Sequence, residues 1–338
     1  MSQTTQHNLG IFRWTLASMA VAAVTGLVVA FWAHDAAEPP PEGEPAEAPL
    51  DVEELDVPER FAVPELEEVE VGPAEELLER LRERGGREWP PEDVVEPVTA
   101  RAFPEDLAET SVADRKEIFY RVMTPVMLAE NARLAEAREF VEEAADRPDE
   151  LTAPEEERLE SLAEHYRVDL DEEGAVTDLL RRLDEIPVDM AMAQAANESG
   201  WGTSRFTREA NNLFGEWTWT QEEGLIPERR GEGQTHRIRV FPSLQRAVRS
   251  YYFTLNVGHA YDDFREQREQ ARAEGRSLDG EALAAGLEAY SERGQDYVEE
   301  VRSMIRFNEL QRLNGLALRK EEMREATAVE AEEGGLSE

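Results

Sequence analysis

The sequence predicts a mainly α-helical protein with one small β-hairpin lobe, preceded by a single membrane-spanning helix and a disordered linker. Three observations carry that expectation. Apolar residues recur at helical spacing, with Ile118, Phe119, Val122, Met123, Val126 and Met127 forming a clear stripe. The helical period vanishes between Trp217 and Phe241, where glycines at 224, 231 and 233 and the alternation His236-Arg237-Ile238-Arg239-Val240 predict extended chain. Near the N-terminus, twenty consecutive residues, Trp14 to Ala33, carry no charge.

That uncharged run is the first element. At ~1.5 Å per residue, a helix of this length matches the ~30 Å hydrocarbon core of a bilayer. Trp14 and Trp32 stand near its ends, Arg13 precedes it and Asp35 follows. The positive flank predicts a cytoplasmic N-terminus with everything after Ala33 exported. The length and the bulky Phe31-Trp32 pair favour an uncleaved anchor at 1–34 over a signal peptide. The expected location is therefore the inner membrane, single-pass, with the remainder in the periplasm. The next forty positions, 35–74, hold fourteen acidic residues, one basic residue (Arg60) and eight prolines. Such a stretch buries too little apolar surface to offset chain entropy, so a self-repelling tether is expected.

A helical extension, 75–186, follows. A short amphipathic helix is expected over Glu75–Arg84, stopped by Gly85-Gly86. A long one begins near Ser111, carries the apolar stripe and is expected to kink at Pro125. Two more are expected at Pro154–Tyr166 and Ala175–Leu183, all with packing roles. The region 187–315 then reads as a catalytic domain. Pro187 opens a helix that Gly200 ends as a left-handed cap, and Met190, Gln194 and Glu198 fall on one face of it. After the lobe, helices resume at Ser243–Asn256, Tyr261–Ala273 and in two runs ending near Leu313. An acidic tail, 316–338, closes the chain.

Composition excludes several functions. With 75 acidic against 36 basic residues and a net charge of −39, the balance argues against nucleic acid, whose phosphates require clustered cations. There is no cysteine, and the five histidines show no metal-ligand spacing, so no metal and no cofactor are expected. One stretch runs against the charge: Arg229 to Arg249 holds six arginines and a single acid, Glu232. This basic island either attracts an anionic polymer to the lobe or pairs with the acidic surface.

The chemistry concentrates in Ala193–Gly215. Glu198 ends a helical run and is followed by Gly200-Trp201-Gly202 and by Asn211-Asn212-Leu213-Phe214-Gly215. A carboxyl that donates a proton near neutral pH requires partial desolvation, which aromatic walls supply. Trp201, Phe214, Trp217, Trp219 and Tyr290 can stack on sugar faces, although core packing explains Phe214 more simply. Asn212 shapes the turn and can bond an acetamido group, and His236 joins the candidate substrate-binding set on the lobe. A second carboxylate, as base or nucleophile, is open among Glu222, Glu223, Glu228 and Glu232. Glu232, between two glycines, suits a hairpin tip over a cleft. Substrate assistance by an N-acetyl group would make all four unnecessary.

The run AQAANESGWGTSRFTREANNLFGEWTW resembles the glucosaminidase family of peptidoglycan hydrolases, specifically its Bax-like members. So do GLIPERRGEG, HRIRVFPSLQRAVRSYYFTLN and LDGEALAAGLEAYSERGQDYVEEVRSMIRFNEL, and with VADRKEIFYRVMTPVMLAENARL the resemblance covers Phe103 to Leu313. It implies a lysozyme-like helical core with a small β-lobe across a cleft, and cleavage of the β-1,4 bond between N-acetylglucosamine and N-acetylmuramic acid. It also implies peptidoglycan glycan strands as the partner, Glu198 as general acid, and a role for Tyr290, whose segment AYSERGQDY is similar to the family's late tyrosine motif. Two departures stand out: His259 is displaced by one position, and Glu216 follows Gly215 where glutamine is expected. A lytic transglycosylase and a non-catalytic wall-binding protein are the rival readings.

Overall fold

A computed structural model describes residues 65–218, 224–226 and 237–319. The expected anchor at 1–34 lies outside the described residues, and so does the chain after 319. Strand β1 (Glu67–Val69) leads into helix α1 (Ala74–Gly85), and two short strands follow, β2 (Val94–Val95) and β3 (Val98–Ala100). The helices α2 (Val112–Asp146), α3 (Ala153–His165), α4 (Ala175–Arg182), α5 (Val188–Ser199) and α6 (Arg205–Ala210) come next. Strands β4 (Trp217–Thr218) and β5 (Arg237–Ile238) form the stem of the lobe. Helices α7 (Leu244–Val257), α8 (Asp262–Ala273), α9 (Gly280–Leu283) and α10 (Gln295–Phe307) and strand β6 (Ala317–Leu318) complete the fold. The architecture is mainly helical, as the apolar periodicity predicts.

Helix α2 is the axis. Ser111 caps it by accepting the Asp114 N–H at 3.1 Å, and Pro125 sits inside it without dividing it in two. Every residue from Arg121 to Asn131 is buried, so this stretch is enclosed on all sides rather than presenting one apolar stripe. It packs against α5 and α7, the helices of the proposed catalytic region, as well as against α1 and β3. The segment expected as a helical extension thus contributes its long helix to the core. Glu130 and Arg133 are charge-paired in the interior, where a hydrophobicity pattern reads surface.

The short strands differ from expectation too. β1 pairs in parallel with β3, and β2 pairs in parallel with β6. The end of the expected linker, 65–74, is therefore placed by backbone pairing, with Leu66, Val69 and Val71 against the core. Likewise Ala317 and Leu318, expected in the acidic tail, are held against Val94 and Val95. In both places a few apolar residues inside an acidic composition suffice to dock the chain. The predicted β-hairpin is present as its stem: Trp217 opposes Ile238 and Thr218 opposes Arg237 in antiparallel register.

Helix α5 forms as its sequence dictates. Pro187 precedes its first turn, and Gly200 ends it in the left-handed region at φ 59°, ψ 47°. Ten of its twelve residues are buried, which its Ala and Met content permits in tight packing against α2 and α10. A close approach elsewhere explains Gly286, where an added Cβ would lie 2.4 Å from the Phe264 Cα.

Candidate active site

The 3.6-residue period of α5 sets Gln194 one turn below Glu198, the first buried and the second emerging at the surface. Around them α7 supplies Tyr251 and α10 supplies Tyr297, both buried. The Tyr251 hydroxyl donates to Gln194 Oε1 at 2.5 Å, Gln194 Nε2 donates to the Tyr297 hydroxyl at 3.0 Å, and that hydroxyl donates to Glu198 Oε1 at 2.9 Å. Each hydroxyl has one proton to give. The relay therefore runs in one direction and commits Oε1 of Glu198 as an acceptor.

Aromatic rings line this relay. Tyr290 stacks on Tyr297 with centroids 5.3 Å apart and planes 10° off parallel, and Phe214 stacks on Tyr251 at 3.9 Å and 6°. Tyr261 meets Tyr290 at 6.3 Å. Burial, reinforced by the charge of Glu198, holds Tyr251, Tyr290 and Tyr297 well above the ordinary tyrosine pKa, so all three stay neutral donors.

Glu198 is open to solvent, yet surrounding protein desolvates its carboxyl and raises its pKa above the ordinary glutamate value. The Tyr297 bond and the charge of Arg293 pull the other way, but Arg293 is itself engaged by Glu300 at 2.7 Å. The net effect raises the pKa, the direction that a proton donor needs.

At the stem of the lobe, Asn212 is buried and fully used. Its Nδ2 donates to the carbonyls of Glu216 at 2.8 Å and Arg239 at 2.9 Å, and its Oδ1 accepts the Glu216 N–H at 2.9 Å. The turn role expected for it is what its contacts serve. Glu216 accepts from Ser250 at 2.6 Å and from Arg239 at 3.3 Å through Oε2, while its buried Oε1 has no hydrogen-bond partner. Burial raises its pKa despite Arg239. Of the basic island, Arg239 and Arg249 pair inward, with Glu216 and Glu130.

The remaining candidates separate. Phe214 packs in the core, and Trp217 is half-buried on β4. Trp201 adopts φ 60°, and its ring lies against α2, edge-on to Phe119 at 5.6 Å and Tyr120 at 5.5 Å beneath the Lys116 ammonium at 4.5 Å. Trp219, Glu222, Glu223, Glu228, Glu232 and His236 lie outside the described residues. Tyr290 reaches the Phe214 carbonyl at 3.4 Å, and it is Tyr297, at the end of the same AYSERGQDY segment, that bonds Glu198. Gln194, Tyr251 and Tyr297 are absent from the sequence-derived set. A lone glutamine one turn before Glu198 on an Ala/Met helix was the signal available for Gln194.

The family model described as mannosyl-glycoprotein endo-beta-N-acetylglucosaminidase matches residues 175–310, a span that contains Glu198 and its three relay partners. Protein bax of Escherichia coli (strain K12) is 30% identical over 198 residues, covering 58% of this chain and 70% of that protein. No solved structure matches.

Proposed function

The chain belongs to the Bax-like glucosaminidase-domain family, and from that premise we propose that it hydrolyses the glycan strand of peptidoglycan with Glu198 as general acid. The bond is the β-1,4 linkage between N-acetylglucosamine and N-acetylmuramic acid. The observation that carries this reading is the directed relay ending on Glu198 Oε1. With that oxygen occupied as an acceptor, the carboxyl proton resides on Oε2, the oxygen left for a substrate. Its raised pKa keeps that proton in place at higher pH than an ordinary glutamate would.

Protonation of the glycosidic oxygen by Oε2 accompanies cleavage of its bond to the anomeric carbon, as positive charge spreads over the ring oxygen. The departing sugar leaves neutral, and Glu198 becomes a carboxylate that the Tyr297 hydroxyl stabilises. Water completes hydrolysis at the anomeric carbon, and its proton restores the acid. A carboxylate from the lobe, Glu232 foremost among Glu222, Glu223 and Glu228, or the substrate's own acetamido oxygen assists that second half. An N-terminal anchor at Trp14–Ala33 would present the domain to the wall from the inner membrane.

Digestion of purified sacculi followed by mass spectrometry tests the reading. New reducing N-acetylglucosamine ends are expected, and their loss in Glu198→Gln. Anhydro-muramic ends would establish the transglycosylase instead, and turnover unchanged in Glu198→Gln would remove Glu198 from the chemistry.

A further inference from the structure

A cavity of about 570 Å³ is enclosed by the segment from Arg82 to Pro90, the first turns of α2 and the turn from Asn308 to Leu313. Four cations and two carboxylates line it, an inversion of the balance in a chain of net charge −39. Glu117 is claimed twice, by Arg82 at 2.7 Å and Arg121 at 2.8 Å, and Glu309 is paired with Arg312 at 3.5 Å. No carboxylate pairs with Arg87 or Lys116 among the described residues. The Lys116 ammonium is instead held by Asn308 Oδ1 at 2.6 Å, above the ring of Trp201. Burial without a counter-charge lowers its pKa. Trp89 and Tyr120 add half-buried aromatic faces to the same wall.

Two cations without a carboxylate partner, beside aromatic faces, fit a ligand with a carboxylate on a compact aliphatic body. We propose that this cavity binds a free carboxylate of the peptide stems carried by the glycan strand, a site separate from the bond-cleaving one. The choice of stem peptide rests on the peptidoglycan reading; the demand for a carboxylate does not. Lys116 and Arg87 take the carboxylate, and the aliphatic part of the stem covers Trp89 and Tyr120. Such a site holds a strand by its branches while Glu198 acts on its backbone. It also draws an anionic polymer toward an acidic protein through a local surplus of positive charge.

Calorimetric titration of the whole protein with a synthetic stem tetrapeptide bearing free carboxylates tests the proposal. The free acid is expected to bind, its fully amidated form at least tenfold more weakly, and affinity is expected to fall as salt rises. Arg87→Glu should weaken binding tenfold or more with an unchanged unfolding midpoint, since Arg87 is exposed. Lys116→Gln should weaken it similarly. Glu198→Gln should bind the peptide as the unaltered protein does, which keeps this outcome independent of the hydrolytic assay. Equal binding of acid and amide, no binding of the free acid, or indifference to Arg87→Glu would each overturn the proposal, whatever the sacculus digestion reports.

Discussion

Glu130 and Glu198 are both desolvated by surrounding protein, and their acidities move in opposite directions. Glu130, on the central helix, is fully buried, and desolvation alone would raise its pKa. Arg133 bonds its Oε1 at 2.5 Å and Arg249 bonds its Oε2 at 3.2 Å, and these two guanidiniums more than reverse the effect, holding it below the ordinary value. Glu198 reaches solvent, yet its hydrogen-bond donors are neutral, the Tyr297 hydroxyl and the Asn197 side chain, and its pKa rises. Burial penalises both charges; bonded cations decide the outcome. The core carboxyl is thereby held toward its anion, and the exposed one toward its protonated form.

The largest expected effect tests the donor side of that contrast. Glu198→Gln should lower turnover of sacculi by about 10²- to 10⁴-fold, the usual contribution of a general acid, with no loss of stability. The mirror-image variant is Glu130→Ala, which leaves the buried Arg133 and the part-buried Arg249 without their partner. It should destabilise the fold by about 3–5 kcal/mol in urea unfolding. The sign with pH follows from the lowered value. Stability from Glu130 is full above the unfolded carboxylate pKa and is lost as pH falls through the folded one. Glu130→Gln should therefore flatten the acid side of the stability curve.

A smaller effect is expected from Tyr297→Phe, which removes the bond to Oε1 and reduces turnover on the order of tenfold. Because that bond stabilises the charged form of Glu198, its loss raises the pKa further and moves the alkaline limb of the pH–rate profile upward. A limb that stays in place would mean that Tyr297 serves packing alone. Arg293→Ala should shift the same limb in the same direction by less, since Arg293 is shared with Glu300 and exposed enough to be screened.

Legibility in the sequence followed the range of the interactions involved. Helices α1, α3, α4, α7 and α8 are short-range objects, and their periodicity and caps place them within one or two residues of expectation. Gly200 could be named a left-handed cap because its position after an Ala/Met helix leaves little alternative. Pairing of Ala317 with Val94 joins segments over two hundred residues apart, and composition pointed the other way. The same holds within the site. Glu198 stood out from its neighbours, whereas Tyr251 and Tyr297 reach the relay only after folding, from α7 and α10.

By itself, the sequence determined a helical protein whose acid-bearing helix ends at a glycine, with an extended lobe beyond it, because helix periods, caps and turns are set by neighbours along the chain. It also carried enough of the family's pattern to single out Glu198. Tertiary structure alone decided that Glu198 meets a tyrosine hydroxyl while Glu130 meets two guanidiniums. Both are glutamates on helices, and their protonation depends on partners that are distant in sequence and adjacent only after folding.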